Sequence, residues 1–210
     1  MRAKAFVAVA TIFTLGSCRS PDEVVRPTEL SLQRGRSESL ADPTFFTNAP
    51  GAPAFAAQSV TFWAVKGSDR EVSLFYQKRP DRSDSTEFVR FRVRRRSLLS
   101  RPDGSPIANG DSVQITLSIS DPSQLIVDFQ PAGLTFNPSR PAELEFKMDE
   151  CDLDLNHDGV VDHVDQVLLQ SSQVFRQEAI GLPWVPISTV QSSVDFKAKV
   201  DGFTRYAVAY

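Results

Sequence analysis

Six residues between positions 154 and 165 carry oxygen at the spacing of a cation-binding loop. The run reads DLNHDGVVDHVD. Asp154, Asn156 and Asp158 fall at loop positions 1, 3 and 5, Asp162 at 9 and Asp165 at 12. Val160, at position 7, would offer its backbone carbonyl. A hard cation such as Ca2+ takes about 6–8 oxygens, and alternate residues of a tight loop converge them. Gly159 stands at position 6, where the chain must turn sharply. Val161, at position 8, is apolar and is expected to anchor the loop to a core. The alternative is an Asp/Asn/Gly turn that binds nothing. Five oxygen-bearing side chains in register with the glycine favour Ca2+.

Other reactive groups are sparse. The two histidines, His157 and His163, both lie in this loop at non-ligand positions and are expected to face water. A zinc site built on them would need Cys151 as a third ligand, and a Ser–His–Asp triad would have to borrow one of them. No glycine-rich phosphate loop is present, and no catalytic constellation is expected. A pair of acids meeting in the fold, as in a glycosidase, is the enzymatic alternative. The densest charge cluster is Arg90, Arg92, Arg94, Arg95 and Arg96. It reads as the solvated face of one strand, with a polyanion contact as the functional alternative. Trp63 and Trp184 read as core residues, with a sugar platform as the alternative.

The loop resembles the EF-hand, and more closely its dockerin variety, with Asp at position 12 and an apolar-rich helix after it (VDQVLLQSSQVF). The resemblance covers residues 152–177 and implies Ca2+ held by the six residues named. Asp165 is one methylene shorter than the usual EF-hand Glu, and Gln166 replaces an apolar residue. A dockerin carries two such loops and this chain shows one, so the two-fold cohesin-binding surface is not implied.

The chain opens with Met1-Arg2-Ala3-Lys4, then an apolar run from Ala5 to Leu15. Eleven residues are too few to span a bilayer and suit a signal-peptide core. Leu15-Gly16-Ser17-Cys18 then resembles the bacterial lipobox, in which the cysteine is lipidated and the peptide cut before it. This implies a leader at 1–17 and a membrane anchor on Cys18, each buried methylene contributing about 0.8 kcal/mol. An ordinary secretory signal is the alternative. Arg19 is not the Asp of an inner-membrane retention signal, so the bacterial envelope, and its outer membrane, is favoured. A lipidated Cys18 leaves Cys151 a lone thiol; a Cys18–Cys151 disulfide is the alternative. The full chain has 23 basic and 26 acidic residues. Losing Arg2 and Lys4 leaves 21 basic residues and a net charge near −5, which gives no reason to expect nucleic acid.

Residues 18–57 are polar and proline-rich and read as a flexible tether, with Phe45, Phe46 and Phe55 as exceptions, one of which is expected to dock on the domain. From Val60 onward, apolar residues alternate with polar ones around 60–65, 89–94, 113–119, 144–148 and 194–200, with further strands expected at 72–76, 125–129, 184–187 and 205–210. One apolar face per strand marks antiparallel sheets with a buried side. The expected fold is mainly β, an antiparallel β-sandwich of nine or ten strands over residues 58–210. A helix is expected over 163–177, with Val164, Val167, Leu168, Ser171, Val174 and Phe175 on one stripe.

The segment PAGLTFNP at 131–138, followed by Ala142-Glu143-Leu144, resembles the PxGLxFxxPxxL stretch of ZU-type β-sandwich modules. That implies an interaction or scaffolding role without a catalytic site. It also makes residues 150–180, the calcium loop and its helix, an insertion between two sandwich strands. The expectation is a non-enzymatic, calcium-binding lipoprotein that meets an unidentified protein or glycan partner. The runners-up are an accessory carbohydrate-active or other hydrolytic lipoprotein with an unrecognised acid pair, and a secretion or envelope-assembly component.

Replacing Cys18 with Ser tests the anchor. The variant is expected to leave the membrane fraction or to accumulate unprocessed, because lipidation needs the thiol. A variant that still sediments with membranes at the mature mass would show that Cys18 is not the anchor.

Overall fold

Alternating strands with one apolar face bury it best against another such sheet, and this chain does so twice over. The computed structural model describes residues 42–210. The leader, Cys18 and the first part of the expected tether lie outside the described residues. In chain order the strands are β1 (Ser59–Val65), β2 (Arg70–Phe75), β3 (Glu87–Val93), β4 (Leu98–Ser100), β5 (Ser112–Asp121), β6 (Ile126–Gln130), β7 (Thr135–Phe136) and β8 (Ala142–Lys147). Then come helix α1 (His163–Ser171) and strands β9 (Gln173–Gln177), β10 (Val185–Ile187), β11 (Thr189–Ser192), β12 (Asp195–Val200) and β13 (Arg205–Ala209).

One sheet has the order β1-β5-β6-β13-β9-β10 and the other β11-β12-β8-β3-β2; β4 and β7 form a short ribbon of their own. The strand pairs are antiparallel, so the fold is the expected mainly-β sandwich. It has more strands than expected because β4, β7, β9 and β11 are short or lack alternation. Phenylalanines fill the space between the sheets. Phe91 of β3 lies 4.7 Å from Phe129 of β6, 5.7 Å from Phe203 and 6.4 Å from Phe62 of β1, measured between ring centres. Phe91, Phe129, Phe136 and Phe203 are all buried, and Ala64, Leu144, Phe146 and Val208 extend the same core.

On the outer face of the five-stranded sheet the charges alternate in sign across strands. Glu71, Arg92, Glu143 and Lys199 stand side by side in register, and so do Arg90, Glu145 and Lys197. Arg92 pairs with Glu71, Arg90 with Glu145 at 3.7 Å, and Lys197 with Glu145 at 3.6 Å. Opposite charges facing each other across strands fix the register on a face the core cannot fix.

The expected helix is cut short. It ends at Ser171, and Val174 and Phe175 lie instead on β9, paired with β10 and β13. Ser172 donates both its N–H to Leu169 O (3.2 Å) and its hydroxyl to Leu168 O (2.8 Å), which closes the last turn. Val174, fully buried between neighbouring strands, gains more there than a further helical turn would offer. The helix stripe is corrected with it: Leu168 and Leu169 pack on the core, whereas Val164 and Val167 are exposed. Because β9 belongs to the six-stranded sheet, residues 150–180 are not wholly an insertion. The loop and α1 are the crossover that carries the chain from β8 in one sheet to β9 in the other.

The tether also ends earlier than Ala57, since residues 44–56 pair with the strands of the sandwich. Thr44 and Tyr210 exchange backbone hydrogen bonds at 3.1 Å, and Phe46 N–H reaches Val208 O at 3.2 Å. Instead of the one ring expected to dock, all three do: Phe46 is buried in the core, Phe45 meets Trp184 at 4.9 Å, and Phe55 stacks on Tyr76 at 4.6 Å. Three aromatic side chains outweigh the ordering entropy that a polar, proline-rich composition suggested would win.

Truncating Phe91 to Ala removes the ring that touches both sheets. The loss of folding stability is expected to be about 3–5 kcal/mol, read by urea unfolding. A loss below about 1 kcal/mol would show that the sheets do not close on this ring.

Candidate metal centre

The crossover loop is held at both of its ends before any ion is considered. On the stem side, Asp152 N–H donates to Thr47 O at 2.9 Å, and Ala49 N–H to Glu150 O at 2.9 Å, so the N-terminal arm pairs with residues 150–152. Glu150 is buried and gathers three groups from the β2–β3 connection: Arg79 in an ion pair, the Thr86 hydroxyl at 2.9 Å and Arg82 at 3.5 Å. The hydrogen bond from Arg79 holds its carboxyl below the usual carboxylate range, against the opposing effect of burial. Leu155, at loop position 2, is buried in the core, and the Tyr210 hydroxyl donates to its carbonyl. Burial first, then the charges of Asp165, Asp152 and Asp154, pushes that hydroxyl's pKa up and keeps its proton on.

At the far side, Asp165 closes the loop. One carboxylate oxygen accepts the N–H of Leu155 (2.7 Å) and of Asn156 (3.1 Å); the other accepts the N–H of Asp162 (2.8 Å). The Asp162 N–H does most to hold this carboxyl below its ordinary range; burial opposes it, and the other two N–H groups add to it. Asp162 caps α1 in return, accepting the Val164 N–H at 2.7 Å, so Asp162 and Asp165 form a reciprocal capping box. Asp165 is 2% exposed, the most enclosed charged side chain of the loop.

Between these anchors the first half of the loop folds around its own carboxylates. Asp154 accepts the N–H of Asp158 (3.0 Å) and of Gly159 (2.8 Å), one on each oxygen. Asn156 Oδ1 also accepts the Asp158 N–H (3.0 Å), and Asp158 accepts the Val160 N–H (2.9 Å) and the Asn156 amide (2.9 Å). Gly159 has φ +90, a conformation that side chains other than glycine's rarely adopt. Oxygen-bearing side chains at positions 1, 3 and 5 therefore face the inside of one turn.

The structure brings Asp154, Asn156 and Asp158 together and joins Asp162 to Asp165 at the start of α1. Among the described residues no three His, Cys, Asp or Glu side chains stand close enough to form a ligand cluster by themselves. The donor chemistry of the loop nevertheless suits a hard cation. Its inward groups are oxygens, and a carboxylate has about four lone-pair sites. Asp154 and Asp158 each have two free after their hydrogen bonds. Asp165, which accepts three N–H groups, has one left, so the two-oxygen grip of an EF-hand Glu is not on offer from it.

Two sequence expectations are corrected here. Val161 does not anchor the loop: it is 61% exposed, because the core lies on the side of Leu155 and Asp165. The zinc alternative fails on geometry, since His157 and His163 are exposed while Cys151 is buried with its thiol 3.1 Å from Met148 Sδ. Burial, reinforced by Asp149, Glu150 and Asp152, pushes that thiol's pKa up and keeps it protonated. What sequence reasoning missed is the stem: Glu150 carried no motif, and only its burial reveals it. No family model, curated protein or solved structure matches the chain.

Glu150→Gln tests the stem. Losing the charge on these hydrogen bonds is expected to cost about 1–3 kcal/mol. A depressed folded-state pKa stabilises the fold fully above the unfolded value, about 4.3, and that stabilisation is lost as pH falls through the folded value. Urea unfolding from pH 7 to 3 is therefore expected to show the gap between wild type and variant closing below about pH 4. A gap that stays constant with pH would show that Glu150 acts through packing alone.

Proposed function

We propose that this chain is a calcium-binding lipoprotein of the bacterial envelope, tethered through Cys18, whose β-sandwich is a non-enzymatic binding or structural module. The observation that carries the reading is Asp154 accepting the N–H groups of loop positions 5 and 6. Those hydrogen bonds turn the oxygens of Asp154, Asn156 and Asp158 inward, which is the arrangement a hard cation uses. Ca2+ would be held by these three side chains, the Val160 carbonyl, Asp162 and the one free site of Asp165, with water completing the shell.

The loop is the crossover between the two sheets, and its stem and its end are fixed by the protein itself. Calcium would therefore order the first half of the loop, where carboxylates repel one another, and leave the sandwich standing. The partner would be a protein or glycan, and the outer membrane is the favoured location. One observation weighs against the hydrolytic alternative. Trp184 lines a groove with Phe45, Gln124, His157 and Gln177, but Asp42 is the one carboxylate there, so no acid pair faces it. Trp63, expected in the core, instead lies on the outward side of β1 and is 57% exposed, because Phe62 and Ala64 take the inward side of the strand.

Calorimetry on the full chain is expected to find one Ca2+ per molecule with Kd of about 10⁻⁶ to 10⁻⁴ M, weaker than buffer sites because the loop is single and Asp165 is largely occupied. The double variant Asp154→Ala, Asp158→Ala is expected to abolish the heat. Absence of any calcium heat from the wild-type chain would end the proposal.

A further inference from the structure

The outer face of the five-stranded sheet neutralises its own cations except at one end. There, where β3 leaves the sheet and β8 enters it, a cleft of about 540 Å³ is lined by Arg94, Arg95, Arg96, Arg140 and Lys199. Two acids share the cleft, Asp69 and Glu143, and both are taken. Glu143 pairs with Arg94 at 3.2 Å, and Asp69 accepts the Arg95 N–H at 2.7 Å with the Arg95 guanidinium at 4.0 Å. Arg96, Arg140 and Lys199 are exposed and have no ion pair among the described residues. A protein whose formal net charge is −3 thus concentrates a surplus of three positive charges in one concavity.

The cleft is also rigidly built. Ser97 is fully buried, and its hydroxyl accepts the Arg94 N–H (3.1 Å) and donates to Pro141 O (3.3 Å). Ser97 N–H closes the turn on Arg94 O (2.9 Å), and Asn137 N–H reaches Ser97 O (2.7 Å). One buried serine therefore locks the Arg94–Arg96 turn to the segment that carries Arg140. With the backbone that carries the cations already fixed, binding an anion orders side chains alone.

We propose that this cleft binds a phosphate dianion, either free or as the monoester or diphosphate of a small molecule. Tetrahedral oxyanions with more than one charge match several guanidinium forks at once, whereas a single carboxylate would satisfy one. The volume is in the range of small-ligand sites. The cleft and the calcium loop lie at opposite ends of β8, so neither site depends on the other.

Calorimetry and chemical-shift mapping on the full chain, with inorganic phosphate, pyrophosphate and glucose 1-phosphate as separate titrants and acetate as the monoanion control, test this. Pyrophosphate is expected to bind and acetate not, with affinity falling as salt rises. Arg96→Ala with Arg140→Ala is expected to weaken binding about tenfold or more, with an unchanged melting curve. Arg92→Ala, whose side chain is held by Glu71 outside the cleft, is expected to bind as wild type. A response to glucose 1-phosphate stronger than to inorganic phosphate would identify an ester as the ligand; the reverse would identify the free anion. No binding of any phosphate, equal binding of acetate, or full binding by the double variant would each overturn the proposal.

Discussion

The structure depends on two sheets closing over a layer of phenylalanine rings. Phe91 meets Phe62, Phe129 and Phe203 across the gap, and strands from both sheets exist to place these rings. Once the sheets are stacked, the chain cannot pass from β8 to β9 without crossing the edge of the sandwich. That crossing must be long enough to span the layer and must satisfy its own backbone groups. The loop and α1 meet both demands with carboxylates: Asp154, Asp158, Asp162 and Asp165 together accept seven backbone N–H bonds of the crossover.

Those same carboxylates give the loop its proposed affinity for calcium, and the two roles compete in Asp165. A carboxylate turned inward to three N–H groups keeps the loop closed but has little left for an ion. The division of labour follows: Asp165, Leu155 and the Tyr210 hydroxyl hold the frame, and Asp154, Asn156 and Asp158 face the site. A frame fixed by the protein would let the proposed ion order a short segment while the core stays as it is. The N-terminal arm takes part, because residues 44–49 bridge β13 to the stem of the loop.

Charge is organised by the same principle of local satisfaction. On the outer face of the five-stranded sheet, most cations are matched with a carboxylate on a neighbouring strand. Rows of this kind add little individually at a solvated surface, but they specify which strand lies beside which. The end of the sheet where the rows stop is where unmatched cations collect, and it is there that a buried serine fixes the backbone that carries them.

The sequence by itself determined the strands whose residues alternate, the antiparallel sandwich they build, and the composition of the loop. Alternation is a local property, and a period of two can be obeyed in one way only on a half-buried sheet. Loop chemistry is local as well: Gly159 at the turn and oxygens at every second position are written in consecutive residues. Tertiary structure decided the rest. Whether residues 173–177 continue a helix or join a sheet turned on the vacancy between β13 and β10, which no neighbouring residue encodes. The burial of Phe46, the exposure of Val161, Val164 and Val167, and the role of Glu150 were likewise set by which surface lay opposite them. Short apolar runs fit either periodicity, and the partner surface, assembled from segments far apart in the chain, chooses between them.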